Sequence, residues 1–163
     1  MTTTPVITRP GAAKALWSAS AADDSPTFIT CTFDTLTKAV DEALELERDL
    51  SHALSWDPAS TDIQEAVEAK WQDCLKLSGD ILTAPVVSAE DLPMQRMSML
   101  LHFLIESTGP EEALRFQQLF HENQELFTVE DGDCQALLQT AARQMNALVE
   151  LSLAAEAQNF LPN

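Results

Sequence analysis

Each of the three histidines lies one helical turn from a carboxylate: Asp49 with His52, His102 with Glu106, His121 with Glu125. Positions three or four apart share a helix face, so each pair is a candidate half of a metal site. A carboxylate-bridged di-iron bundle needs inward Glu side chains and a Glu-x-x-His on each of two helices. That spacing does not occur, and Asp49-x-x-His52 comes nearest. His121-Glu122-x-x-Glu125 matches part of a zincin motif but has no second histidine. A helical metalloenzyme or metal-binding bundle using His52, His102, His121, Glu106 and Glu125 is thus an alternative expectation. The primary expectation has no metal ligands, no catalytic residue and no cofactor.

The three cysteines, Cys31, Cys74 and Cys134, are far apart and form no Cys-x-x-Cys or Cys/His pattern. They read as reduced thiols rather than as a disulfide or zinc framework. Cys134 follows Glu130, Asp131 and Asp133. A helix N-terminus there favours a thiolate, but the neighbouring carboxylates oppose it, so a nucleophilic role is not expected. Asp131-Gly132-Asp133 lacks the remaining oxygen ligands of a calcium loop.

Residues suited to protein contact are easier to find. Met94, Met97 and Met99 cluster, which reads as core packing or, since methionine adapts to varied partners, as a binding surface. His102 interrupts the longest apolar run, 97–105. It reads as a core-edge histidine bonded to a backbone carbonyl or to Glu106, or as a polar contact in a pocket or subunit interface. Trp17 is a lone large aromatic in a polar segment. The interaction candidates are Trp17, Ile29, Phe33, Met97, Met99, His102, Phe116 and Phe120.

Charge narrows the partners. The 163 residues carry 26 acidic and 9 basic side chains, a formal net of −17. Phosphate backbones and anionic lipids attract Lys and Arg, so neither nucleic acid nor membrane is an expected partner. A DNA mimic would need carboxylates arrayed like phosphates on one face; a solvated surface is the simpler reading. The 97–105 run is far short of the roughly 20 residues that span a bilayer. No basic cluster precedes an apolar run at the N-terminus, so a cytoplasmic location is expected.

The elements that must position these residues read as helices. Hydrophobic residues make up 45% of the chain, with only four Gly and no Tyr, which suits an all-α core. Residues 1–33 read as a loosely ordered or docked arm. Within it, 27–33 alternates Ile29, Cys31 and Phe33 against Thr30 and Thr32, the pattern of an extended strand. Asp34 is the expected cap of a helix over 35–54. Pro58 opens a second helix that Gly79 closes. A connector over 81–87, broken by Pro85, leads to a central helix over 92–107, apolar on most sides. Gly109-Pro110 starts a fourth helix, 111–127. A fifth covers 134–157, after a capping-box pattern at Thr128-Val-Glu-Asp131. The tail 158–163 is expected to fray. The sum is an antiparallel bundle of about five helices over 34–157.

Trp71, Ile81-Leu82, Pro85 and Ser88-x-x-Asp91-Leu92 resemble a pattern of small helical proteins of alphaproteobacteria. The resemblance implies a bacterial helical protein and no particular activity. The functional expectation is a non-enzymatic regulatory or adaptor protein that acts through protein–protein interaction. It is expected to form a homodimer or to take a basic or amphipathic protein partner. A small acidic secretion-type chaperone is a further alternative.

Overall fold

A computed structural model describes residues 25–52 and 59–159. They form α1 (Phe28–His52), α2 (Ala59–Thr83), α3 (Asp91–Glu106), α4 (Pro110–Glu122), a 3-10 turn (Gln124–Phe127) and α5 (Gly132–Asn159). This is an all-α bundle. Helix α3 packs against all the other elements, as expected of a central helix. The core joins Phe33, Leu36 and Val40 of α1, Cys74 and Ile81 of α2, Met94, Met97 and Leu101 of α3, and Leu138, Ala141 and Met145 of α5. The expected tail and the residues around Leu54 and Pro58 lie wholly or mainly outside the described residues.

Three local expectations are corrected. Residues 27–33 are not extended: they open α1, seven residues before the expected start over 35–54. Ile29 and Phe33 are four apart, and Leu36 and Val40 continue the same stripe, so all four are buried in the core. Alternation over seven residues mimicked a strand, while the longer period was helical. The Thr27 hydroxyl accepts from the Thr30 N–H at 3.1 Å, so Thr27 caps the helix rather than Asp34. Thr32 and Thr35 donate their hydroxyls to the carbonyls of Phe28 and Cys31, a bond that threonine readily makes in a helix.

Gly79 does not end α2, which runs on to Thr83. The stripe Val67, Cys74, Ser78 and Ile81 is buried, and burying Ile81 requires the extra turn. Thr83 donates to the carbonyls of Gly79 or Asp80, and the Gln95 amide nitrogen reaches those of Ile81, Leu82 and Ala84. Those bonds satisfy the last-turn carbonyls before Pro85 stops the chain. The fourth expected helix is also divided. α4 ends at Glu122, where the Asn123 side chain donates to the Leu119 carbonyl, and a 3-10 turn follows.

At one end of the bundle the N-termini of α1, α3 and α5 meet. Asp91, fully buried, accepts from the backbone N–H groups of Val87 and Ser88 at 2.8 and 2.9 Å and from the Thr27 hydroxyl at 2.5 Å. Among the described residues no Lys or Arg pairs with it. Three donors and the positive ends of α1 and α3 balance its charge instead. Thr30 also hydrogen-bonds the Cys134 thiol, bringing in α5. The N-cap of α5 is Asp131, which accepts from the Cys134 N–H at 2.8 Å. That bond holds the Asp131 carboxyl below the usual carboxylate range.

Candidate functional site

Helix α3 is amphipathic despite its composition. Met94, Met97, Leu101 and Leu104 face inward, while Leu92, Met99 and Phe103 recur at spacings of seven and four on the outward side. Phe103 is 42% exposed and Met99 38%. The seam with α4 is aromatic: Phe103 stacks on Phe116 with ring centroids 5.5 Å apart. Leu119, one turn beyond Phe116, is 47% exposed. Arg96 reaches from the same side of α3 to the carbonyl of Leu126, itself exposed, in the 3-10 turn. The result is an apolar face of Leu92, Met99, Phe103, Phe116, Leu119 and Leu126. Exposed Glu106, Glu112, Glu122 and Glu125 stand on the same elements, against Arg96 and Arg115.

His102 sits beside this face. Its ring lies edge-on to Phe103 at 6.1 Å. Nδ1 is 2.7 Å from the Ser78 hydroxyl on α2, and Nε2 is 3.4 Å from a Glu106 carboxylate oxygen. Serine, histidine and carboxylate thus stand in the order of a hydrolytic triad. Ser78 is fully buried, however, and its hydroxyl is also 2.9 Å from the Leu75 carbonyl. A substrate has no path to that oxygen, so the cluster ties α2 to α3 rather than forming a nucleophile.

The other expected residues are dispersed. Ile29, Phe33 and Met97 are core side chains, buried because their helical stripes face the bundle axis, and they present nothing to solvent. Phe120 is half-buried, tilted against Phe127 at 5.0 Å, and with Met97 it lines a cleft of about 160 Å³. Trp17 lies outside the described residues. His52 stays at the end of α1, Nδ1 2.6 Å from the Arg48 carbonyl. His121 stands near Gln124 on the exposed side of α4. Of the expected metal donors only His102 and Glu106 meet. Among the described residues no group of three His, Cys, Asp or Glu side chains is placed to hold an ion.

Two thiols are unreactive by environment. Burial pushes Cys74 up to about 12. Burial, and then a hydrogen bond to Asp131, push Cys134 up to about 11. Neither supplies thiolate near neutral pH. Cys31 is exposed on α1.

Sequence reasoning named Met99, His102 and Phe116 but missed Phe103, Leu119 and Leu126. Their hydrophobicity was visible; their exposure was not, because it depends on where α4 crosses α3. No described helix is long and apolar enough to cross a membrane. No protein-family model, curated protein or solved structure matches this chain.

Proposed function

We propose that this protein is a non-enzymatic interaction module whose α3–α4 face takes an amphipathic helical segment with basic flanks. The observation that carries the reading is the exposure, among glutamates, of Met99 and Phe103 on α3 and of Leu119 and Leu126 on the segment whose Phe116 stacks on Phe103. Apolar side chains gathered on one face, rather than scattered singly, mark interaction sites. The glutamates on the same elements favour Lys and Arg around the partner's apolar stripe, and the net charge of −17 steers such a partner in. A second copy is the other occupant. It brings −17 against −17, which opposes association at low salt. The enclosed Ser78 hydroxyl supports the non-enzymatic part of the reading.

Calorimetric titration of the full chain with a helical Leu/Lys peptide tests this. The expected result is saturable binding that Phe103→Asp removes and Phe28→Asp, at an exposed phenylalanine on α1, leaves intact. Phe103→Asp adds negative charge, so it strengthens any purely electrostatic attraction; its loss of binding isolates the apolar contact. Equal binding by both variants overturns the proposal. So does sedimentation showing a dimer that Phe103→Asp dissociates, which assigns the face to a second copy.

A further inference from the structure

The chain carries its own match for the α3–α4 face. Residues 1–24 precede the described bundle, and their charge is unlike the rest. The first 22 residues contain Arg9 and Lys14 and no acidic side chain, so all 26 acids lie beyond them. Within this segment Ala13, Leu16 and Trp17 stand three and four apart, the spacing that gathers side chains on one helix face. Apolar residues accompanied by Arg and Lys are the complement of an apolar face set among glutamates.

The bundle fixes where this segment begins. The Thr27 hydroxyl is held to Asp91 at 2.5 Å, and the next residue after Asp91 is Leu92, at one end of the exposed apolar face. At the helical rise, Met99 and Phe103 lie about 10 and 17 Å further along α3. Trp17 precedes Thr27 by ten residues, a reach of up to ~33 Å. Trp17 therefore reaches Met99 and Phe103 with chain to spare. Followed back from Thr27 in that direction, the chain carries Lys14 and Arg9 toward the far end of α3. Exposed Glu106, Glu111 and Glu112 stand there and outnumber Arg115. One direction of travel thus matches the apolar residues and the charges together. Tethering also holds the segment at an effective concentration of roughly millimolar, so a contact of modest strength is populated.

We infer that residues 9–17 of the same chain occupy the α3–α4 face, with Trp17 against Met99 and Phe103, and that an outside partner binds by displacing them. The inference rests on the reading of that face as a binding surface and names its resident occupant.

The test uses the full chain and two readouts: the Met99 methyl resonance, and calorimetric titration with the helical Leu/Lys peptide. Trp17→Ala leaves the charge unchanged. It should move the Met99 methyl, because the indole ring current is lost, and should tighten the peptide about tenfold. In the unaltered chain, saturating peptide should shift the Trp17 indole N–H, and Phe103→Asp without peptide should shift it to the same position. A Met99 methyl and a peptide affinity both unchanged by Trp17→Ala overturn the inference; if Phe103→Asp still removes the peptide, the face remains a binding surface. Absence of peptide binding in both the unaltered chain and Trp17→Ala overturns the reading of the face itself. A Met99 shift that fades on dilution overturns the contact within one chain and assigns it to the segment of a second copy.

Discussion

The α1–α2 and α3–α4 hairpins use opposite means to hold two helices together. Across α1 and α2 the seam is edged with charge and hydrogen bonds: Lys70 pairs with Glu42 at 2.7 Å, and the Trp71 indole N–H donates to Glu47 at 3.0 Å. Three of the chain's four lysines, Lys38, Lys70 and Lys76, line the groove between these helices with Glu42, Asp73 and Asp80. Across α3 and α4 the seam is the Phe103–Phe116 stack, and its outer edge remains apolar. Apart from Phe28 at its start, the first hairpin covers its large hydrophobic residues along the seam and edges that seam with charge. The second leaves some uncovered. In a protein this acidic, an apolar face is the exceptional surface, and the contrast is what the proposed contact role of the second hairpin rests on.

The sharpest way to break that contrast is to truncate one phenylalanine in each hairpin. Phe33→Ala, at a fully buried site on α1, should lower unfolding free energy by about 3–5 kcal/mol. Phe103→Ala should cost only about 1 kcal/mol, the scale of an aromatic pair, while weakening the partner peptide. Similar losses in urea denaturation would erase the distinction. Next in size is the link between the hairpins. Asp91→Ala leaves the Val87 and Ser88 N–H groups and the Thr27 hydroxyl without their acceptor and should cost about 3 kcal/mol. Hydrogen exchange should speed up at the start of α1 and in the α2–α3 connection together. If only one of them responds, Asp91 does not couple them.

The smallest effect belongs to the Lys70–Glu42 pair. Glu42 is exposed and Lys70 partly so, and a double-mutant cycle should return about 0.2–1 kcal/mol, reduced by salt. The hydrogen bond that Lys70 donates to Glu42 raises the Lys70 pKa in the folded protein. Its contribution is therefore fully present below the ordinary lysine value of about 10.4 and is lost as pH rises through the raised folded value. A stability profile over alkaline pH, compared with Lys70→Met, should show the difference shrinking. A difference that grows there would reverse the sign and remove the pair as its cause.

Much of this was legible in the residues. The apolar stripes of Leu36 and Val40, of Met94 and Leu101, and of Leu138 and Met145 carry their helical period openly. Pro110 opens a helix where proline is best tolerated. The proposed interaction face was only half legible. Met99 and Phe116 stood out by type, whereas Phe103, Leu119 and Leu126 were indistinguishable from core until α4 was laid across α3.

By itself the sequence determined that the chain is helical, where most helices break, and that its exterior is acidic. Those properties depend on spacing within a few residues and on composition. Tertiary structure alone decided that 27–33 coils rather than extends, because Ile29 and Phe33 find a core and Thr27 finds Asp91, 64 positions away. It likewise decided that Gly79 stays helical, since Ile81 must be buried. It chose which apolar side chains stay in water and joined the Gln144 amide to the Thr37 carbonyl, 107 positions away. Local propensity differs by about 1 kcal/mol between such alternatives, and a core contact is worth more, so the packing prevails.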